Sequence, residues 1–571
     1  MNNTTFMGMD IAIRGLYSAQ RGLSTVSHNV DNANTPGYSR QVNNQQASRP
    51  MLVANSAGML GMGSDVVSVD RMRDEFLDDK YRSEAQYLGE WEVKTQLIDD
   101  LQTIYNEPSS SGYSKILNDF YASLQQLSTD PTSLSTRAAV MEKGIMVAKY
   151  FNSVATHFEK LQDDVNNMVG AKVDEINSLA DQIRQLNQQI YNYEVTGNVA
   201  NDLRDRRGYV VDKLSKLANT QSYEIETGYK LPNGEPEKRF VVAISGKAIV
   251  DHVDVVHLKV QMRENKLNEE DLNNLYEVSW EDGNKLNVKS GELRGYLDMR
   301  DGNDAAVGID GKTLSPNFRG IPYYMRKMNQ FVQVFSQSFN EGYIDKDGNG
   351  TMDKINGHVD GYSLTSVAGD SPAGIRFFTM KNADGSPMSS DDFRSAALQK
   401  AADDYAASVA AGNPRTDALD NPLTTDINEA LVYGYKRLVT AKNFSIGLEV
   451  NEDPSENLAV SAIGGSKANT DNLLSLLNMR HNTYMFTEGA PEDFVKTLIS
   501  SLGVDGQQGE VFLATQDNIT RQIENRRQSI SGVSINEEMT NMVKYQQIYG
   551  ASAKMIATYQ DILDILVNGL V

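Results

Sequence analysis

A chain of 571 residues, 40% apolar and 23% charged, has the make-up of an ordinary folded protein and is long enough for three or four domains. Its net charge of -22 argues against nucleic acid and anionic membrane as partners, since both need clustered cations. The absence of cysteine excludes disulfides, thiol catalysis and cysteine-held metals. No run approaches the roughly 18 to 20 apolar residues of a membrane span. The opening MNNTTFMGMDIAIRGL lacks a basic start followed by an apolar core, so no cleaved secretory signal is expected and export would need another route.

The first periodic stretch steps alternately by four and three through Met9, Ile13, Leu16, Gln20, Leu23, Ser27 and Val30, the spacing of a coiled-coil seam. The run from Ser27 to Gln41 reads as a helix stop followed by a loop: its Asn and Asp residues cap helix ends, and Pro36-Gly37 suits the centre of a type II turn. Helical spacing resumes from Arg71 to Tyr105, breaks at Asn106 to Ser109, and returns from Tyr113 to Leu127. From Arg137 to Tyr193 it is almost uninterrupted. There the series Phe151, Val154, Phe158, Leu161, Val165, Met168 and the series Ile176, Leu179, Ile183, Leu186, Ile190 are offset by one residue near Gly170, a stutter between two coiled-coil segments. Asn201 to Leu217 is a further helix, with acids near its start and Arg204, Arg206 and Arg207 placed for local ion pairs, each worth little.

After Ser222 the period changes from helical to alternating. Tyr223 to Thr227, Arg239 to Ser245, Lys247 to Val250, Val255 to Met262 and Tyr276 to Trp280 read as short strands between turn residues. Tyr323 to Phe339 is helical, its aromatics expected in a core, and Ala396 to Ala411 is a short helix. Between them, Asp345, Asp347, Asn349 and Asp353 stand at positions 1, 3, 5 and 9 of a candidate calcium loop with Gly350 at the sixth place. Its twelfth position is Asn356 where a bidentate glutamate is expected, so any cation would be held weakly. No other cofactor is expected. The six histidines are scattered and no nucleophile-base pattern occurs, so the chain is read as a non-enzyme.

A helix from Glu492 to Ile530 leads into the last one, which opens at Ser534 and Glu537 with the spacing of a capping box. Its seam runs Ile535, Met539, Met542, Gln546, Tyr549, Ala553, Ile556, Gln560, Leu563 and Val567. A second apolar row, Tyr545, Ile548, Met555, Tyr559, Ile562 and Leu566, lies beside it. Matching seams at both ends predict that the termini pair. The second row predicts that neighbouring copies complete the covering, with Met9, Ile13, Leu16, Leu23, Val30, Ile535, Met539, Met542, Tyr549, Ile556, Leu563 and Val567 forming the assembly interface.

The segment ANTPGYSRQ with the asparagines before it resembles the N-terminal signature of the flagellar rod, hook and hook-associated proteins. Within that group, the order of the helical blocks, the NDL and DR residues after Asn201, and the SGVS, NEEM and YQQ elements near the C-terminus are similar to the hook-associated protein 1 family. The resemblance covers roughly residues 5 to 345 and 441 to 571. It implies an extracellular subunit of the junction between hook and filament, exported through the flagellar type III apparatus; the alternatives are a hook or rod subunit, which the long helical segments after Arg71 fit less well, and an extracellular enzyme carried in residues 222–440, where zinc-ligand pairs are missing. Its partners would be copies of itself, hook protein, the second junction protein and a cytoplasmic chaperone covering the C-terminal helix. The expected fold is an elongated α+β molecule of several domains. These are a terminal coiled coil (1–62 with 530–571), a helical rod (63–221 with 441–529) and an inserted β-rich outer domain (222–440), the last divisible into 222–357 and 358–440.

Overall fold

One helix sets the scale of the molecule. In the computed structural model, which describes residues 4–52, 59–105, 112–230, 236–346, 352–410 and 427–569, the fourth helix runs unbroken through 61 residues, Leu134–Glu194. At 1.5 Å per residue it is about 90 Å long. It is preceded by α1 (Thr4–Asp31), α2 (Glu75–Tyr105) and α3 (Tyr113–Thr129). It is itself α4, and α5 (Asn201–Leu217), α6 (Glu292–Asp301) and α7 (Ile321–Glu341) follow. The buried side of α4 steps through Phe151, Val154, Phe158, Gln162, Val165, Val169, Val173, Ile176, Ala180 and Ile183. Two of these steps, at Gln162 and at Val173, are a four directly after another four. The expected stutter is therefore spread over two places on either side of Gly170 and is absorbed without a break in the helix.

This spine passes through two separate cores. Its first half, as far as Val165, joins α2, α3, α7 and the beginning of the later helix Pro491–Ser531 in one apolar cluster. At the centre of that cluster Phe331 is fully buried. It stacks on Phe151, Phe335 and Phe486 at centroid distances of 5.2, 5.5 and 5.2 Å and meets Tyr113 edge-on. The second half, from Val169, packs with α5 and a four-stranded antiparallel meander made of Thr220–Lys230, Pro236–Ile244, Lys247–Asp251 and Asp254–Val255. The hairpin Leu258–Met262 with Tyr276–Trp280 closes this second core through Leu258, Val278 and Trp280.

The five expected strands are present, with Val255 to Met262 divided into two pieces. Within the expected insertion over 222–440, α7 and Phe377, Phe378, Phe393 and Tyr435 pack in the first core together with α2, α3 and α4. Two helices, α8 (Ser390–Ala410) and α9 (Ile427–Leu438), pair beside it, and the chain returns through α10 (Leu448–Glu452), α11 (Pro454–Asn457) and α12 (Asp471–Asn478). The last two helices are α13 (Pro491–Ser531) and α14 (Ile535–Asn568). The molecule is thus a helix-rich α+β structure with small sheets. Among the described residues, no helix is long and apolar enough to cross a membrane.

Buried polar groups hold the return of the chain in place. Arg137 on α4, 1% exposed, donates to the carbonyls of Pro131, Ser455 and Leu458. His358, equally buried, donates from Nδ1 to the carbonyl of Ile375 and accepts at Nε2 from the backbone N-H of Ala459. The second bond requires the neutral ring. Burial, with Arg137 nearby, pulls its pKa down from 6.5 to about 4. The unfolded chain binds a proton here near 6.5 and the folded one only near 4, so stability falls as pH drops through that interval and levels off below it. We expect acid titration of the unfolding free energy to lose on the order of 3 kcal/mol from this group. In His358→Gln that component of the pH dependence is expected to be absent.

Candidate assembly interface and the joint behind it

Both chain ends form helices because each offers a continuous heptad pattern with no internal proline. They pack antiparallel along their length, but on rows the large apolar residues do not mark. On α1 the line facing α14 is Gly8, Ala12, Gly15, Ala19, Gly22, Val26 and Asn29, one position before the expected seam and buried except at Gly8 and Gly15, which are partly buried. The expected residues Met9, Ile13, Leu16, Leu23 and Val30 lie beside it, partly buried. On α14 the facing line is Glu538, Tyr545, Ser552 and Tyr559. Of the expected seam there, Met542, Ile556 and Leu563 are partly buried, while Ile535, Met539, Tyr549 and Val567 are exposed.

Glycine is what lets the helices meet. A Cβ at Gly22 would fall 2.5 to 2.7 Å from three ring atoms of Tyr545, one at Gly15 would come 2.9 Å from Ser552 Oγ, and one at Gly8 would overlap the phenol of Tyr559. Each glycine is therefore a notch filled by a side chain of the opposite helix. The signal in the sequence was the seven-residue spacing of Gly8, Gly15 and Gly22, which a search for large apolar residues passes over. Outside this line α14 keeps an apolar flank. Ile548, Met555 and Ile562, three positions beyond Tyr545, Ser552 and Tyr559, are exposed, Met555 by 46%.

Where the pair meets the helical body, the three sequence signatures converge. The signature loop turns at Thr35 to Tyr38, with the N-H of Tyr38 bonded to the carbonyl of Thr35 and Gly37 at φ +81°, as the expected type II turn requires. A Cβ at position 37 would also meet Tyr209 Cβ at 2.7 Å. Asn29 is saturated: its amide donates to Gln41 O and to Glu538 Oε2, and its Oδ1 accepts from Gln41 N and the Tyr38 hydroxyl. Burial, then the carboxylates of Asp202, Asp205 and Glu538, hold the Tyr38 phenol well above its usual range, which keeps it a donor. Glu538, 1% exposed, also receives Arg40 Nε at 2.8 Å, and the N-H of Arg40 bonds the carbonyl of Ser531.

The expected capping box does not form. Ser534 makes no side-chain cap, because Glu537 is drawn 2.8 Å from Arg40 Nη1 instead. Nor are the ion pairs of the Asn201 helix local. Asp205, 3% exposed, accepts from Ser39 N at 2.8 Å, Ser39 Oγ at 2.9 Å, Arg71 at 2.7 Å and Arg73 at 3.3 Å. Asp212 pairs with Arg82 at 2.8 Å and with Arg527 at 2.7 Å, tying α5 to α2 and α13. A hairpin absent from the sequence reading, Gln41–Ala47 with Ser64–Arg71, carries Arg71 into this joint. It leans on α1 through Arg14, which bonds Ser48 and Asp65.

Of the candidate calcium loop, Asp345 and Asp353 lie opposite each other on the two-stranded hairpin Tyr343–Lys346 with Met352–Ile355, and Asp347 and Asn349 fall outside the described residues. Among the described residues, no group of three or more His, Asp or Glu could hold a metal ion.

Two outcomes follow from this geometry. Gly22→Val should destabilise the α1/α14 pair by about 1 to 3 kcal/mol through overpacking. Tyr545→Ala in the same chain should recover much of that, giving non-additive unfolding energies. Asp205→Ala, which strands buried arginines, should cost about 3 to 5 kcal/mol in denaturant unfolding. Arg14→Ala, at a pair whose side chains are 39% and 45% exposed, should cost less than about 1 kcal/mol.

Comparison with known proteins agrees with this architecture. The family model "Flagellar hook-associated protein FlgK helical domain" matches residues 98–353, and "Flagellar basal body rod FlgEFG protein C-terminal" matches residues 525–569. Flagellar hook-associated protein 1 of Bacillus subtilis is 26% identical over 99% of both chains, and that of Salmonella typhimurium 24% identical over 98% of both. The solved flagellar hook junction protein FlgK from Burkholderia pseudomallei shares the fold, with a TM-score of 0.53 over 79% of this chain and 100% of that one, at 13% identity. The full-length relatives and the matched helical domain are flagellar hook-associated proteins, and they support reading this chain as a structural protein of the junction between hook and filament.

Proposed function

We propose that this protein builds the hook to filament junction as a polymer of its own copies, joined through the α1/α14 pair. The observation that carries this reading is the apolar flank of α14. Ile548, Met555 and Ile562 stand exposed at heptad spacing on a helix whose other side is already occupied by α1. A row of that kind is covered when subunits pack side by side. Ile535, Met539 and Tyr549 extend the apolar surface on the opposite side of the seam, so two neighbours fit each pair. The expected interface residues Met9, Ile13, Leu16, Leu23, Val30, Met542, Ile556, Leu563 and Val567 border these rows. The terminal pair is the assembling part, and the two cores along α4 are the outer body it carries.

The other partners are assigned by family likeness. They are hook protein on one side, the second junction protein on the other, and a cytoplasmic chaperone that shields α14 before export through the flagellar type III apparatus. The shielding has a physical reason, since an exposed apolar helix associates prematurely at high concentration. The protein works outside the cell as a structural part and carries out no catalysis.

A strain lacking the gene should make hooks without filaments in electron micrographs, and the full chain should restore filaments. A chain ending at residue 534 should remain soluble and restore none. Filaments on hooks of the deletion strain, or on hooks supplied with the truncated chain, would contradict the proposal.

A further inference from the structure

The contacts between α1 and α14 repeat. Gly8 faces Tyr559, Gly15 faces Ser552, Gly22 faces Tyr545, and Asn29 bonds Glu538 at 3.1 Å. Each step is seven residues along both helices, in opposite directions. Between the glycines lie Ala12 and Ala19, 2% and 1% exposed, which are also small. Three of the four stations are therefore alike in shape: a glycine notch and a side chain that enters it. Moving α14 by one heptad, about 10 Å, would bring Tyr559 or Tyr545 to Gly15 with the same kind of fit. Apolar packing on this seam does not choose between registers.

The fourth station does choose. Asn29 and Glu538 are each 1% exposed, and every hydrogen-bonding atom of the Asn29 amide is used. Slipping one way would set Asn29 against Tyr545, and slipping the other would put Glu538 at Gly22. Either move strands a buried amide and a buried carboxylate, each of which is costly without partners. A lone buried polar pair in an otherwise repetitive seam is a known way of fixing register. Arg40 belongs to the same station, since its guanidinium holds Glu538 while its backbone N-H holds Ser531 at the end of α13. A slip that moves α1 also has to release Ser39 from Asp205 and Gly37 from Tyr209 in the loop of residues 32 to 40.

We propose that Asn29, Glu538 and Arg40 form a register latch, and that the terminal helix pair is built to slide by one heptad when the latch opens. The pair is then a two-position coupling between the subunit's body and whatever holds α14.

The absence of cysteine makes the test direct. A Cβ at Gly15 lies 3.9 Å from Ser552 Cβ, within the range a disulfide bridges. In the full chain at low concentration, Gly15→Cys with Ser552→Cys reports the observed register. Gly15→Cys with Tyr559→Cys, or with Tyr545→Cys, reports a slip in either direction. With the latch intact, the first pair should cross-link and the other two at least tenfold more slowly. In Asn29→Gly/Glu538→Tyr, which turns the fourth station into a copy of the third, a slipped pair should cross-link within threefold of the 15/552 pair. The milder Glu538→Ala should give the same direction with helical circular dichroism retained. Slipped cross-links in the intact chain as fast as the native one would overturn the proposal. So would latch variants that cross-link at 15/552 alone, or that lose all three cross-links, since the latch would then be superfluous or would hold the pair together rather than set its register.

Discussion

The rest of the structure depends on how closely two helices from opposite ends of the chain approach. That approach is a steric fact before it is an energetic one: without side chains at Gly8, Gly15 and Gly22, the rings of Tyr545 and Tyr559 have somewhere to go. Packing of this type removes apolar surface from water over a long, narrow contact and leaves the flanks of α14 untouched. The same choice of small residues that brings α1 and α14 together therefore keeps Ile548, Met555 and Ile562 available outside.

A coiled coil on its own would have no fixed direction relative to the body it serves. Here the direction is set by charge. Asp205, Asp212 and Asp78 sit among Arg71, Arg73, Arg82 and Arg527, drawn from the hairpin, the turn after it, α2, α5 and α13, with every acid side chain below 10% exposure and every arginine below 20%. Buried arginine-carboxylate groups contribute little net stability over an apolar filling, but breaking one is expensive and their geometry is exacting. Such a joint suits a part that must hold an angle under load. The signature loop matters because Ser39, Arg40 and Gln41 deliver backbone and side-chain donors into that joint.

Much of this was legible in the sequence, for physical reasons. Long helices with strong periodicity, such as α2, α4, α7 and α13, announce themselves, and the type II turn at Pro36-Gly37 follows from the allowed backbone of those two residues. The terminal seam was displaced by one residue because a seam was sought among large side chains, while close helix contact selects small ones. The hairpin from Gln41 was missed because QVNNQQA has little of the β-branched and aromatic character that marks a strand. The reach of Asp205 was misjudged because sequence neighbours cannot reveal partners 134 and 166 residues away. That α7 packs by its aromatic face into a core assembled from distant segments is not visible in local spacing.

The most direct measurement is a cryo-electron microscopy map of the assembled junction, resolved well enough to trace side chains of the terminal helices. The expected map has α1 and α14 of one copy paired with Gly15 beside Ser552 or one heptad away, and Ile548, Met555 and Ile562 buried against the next copy. Terminal helices lying apart from each other, or that row facing water in the polymer, would contradict the account.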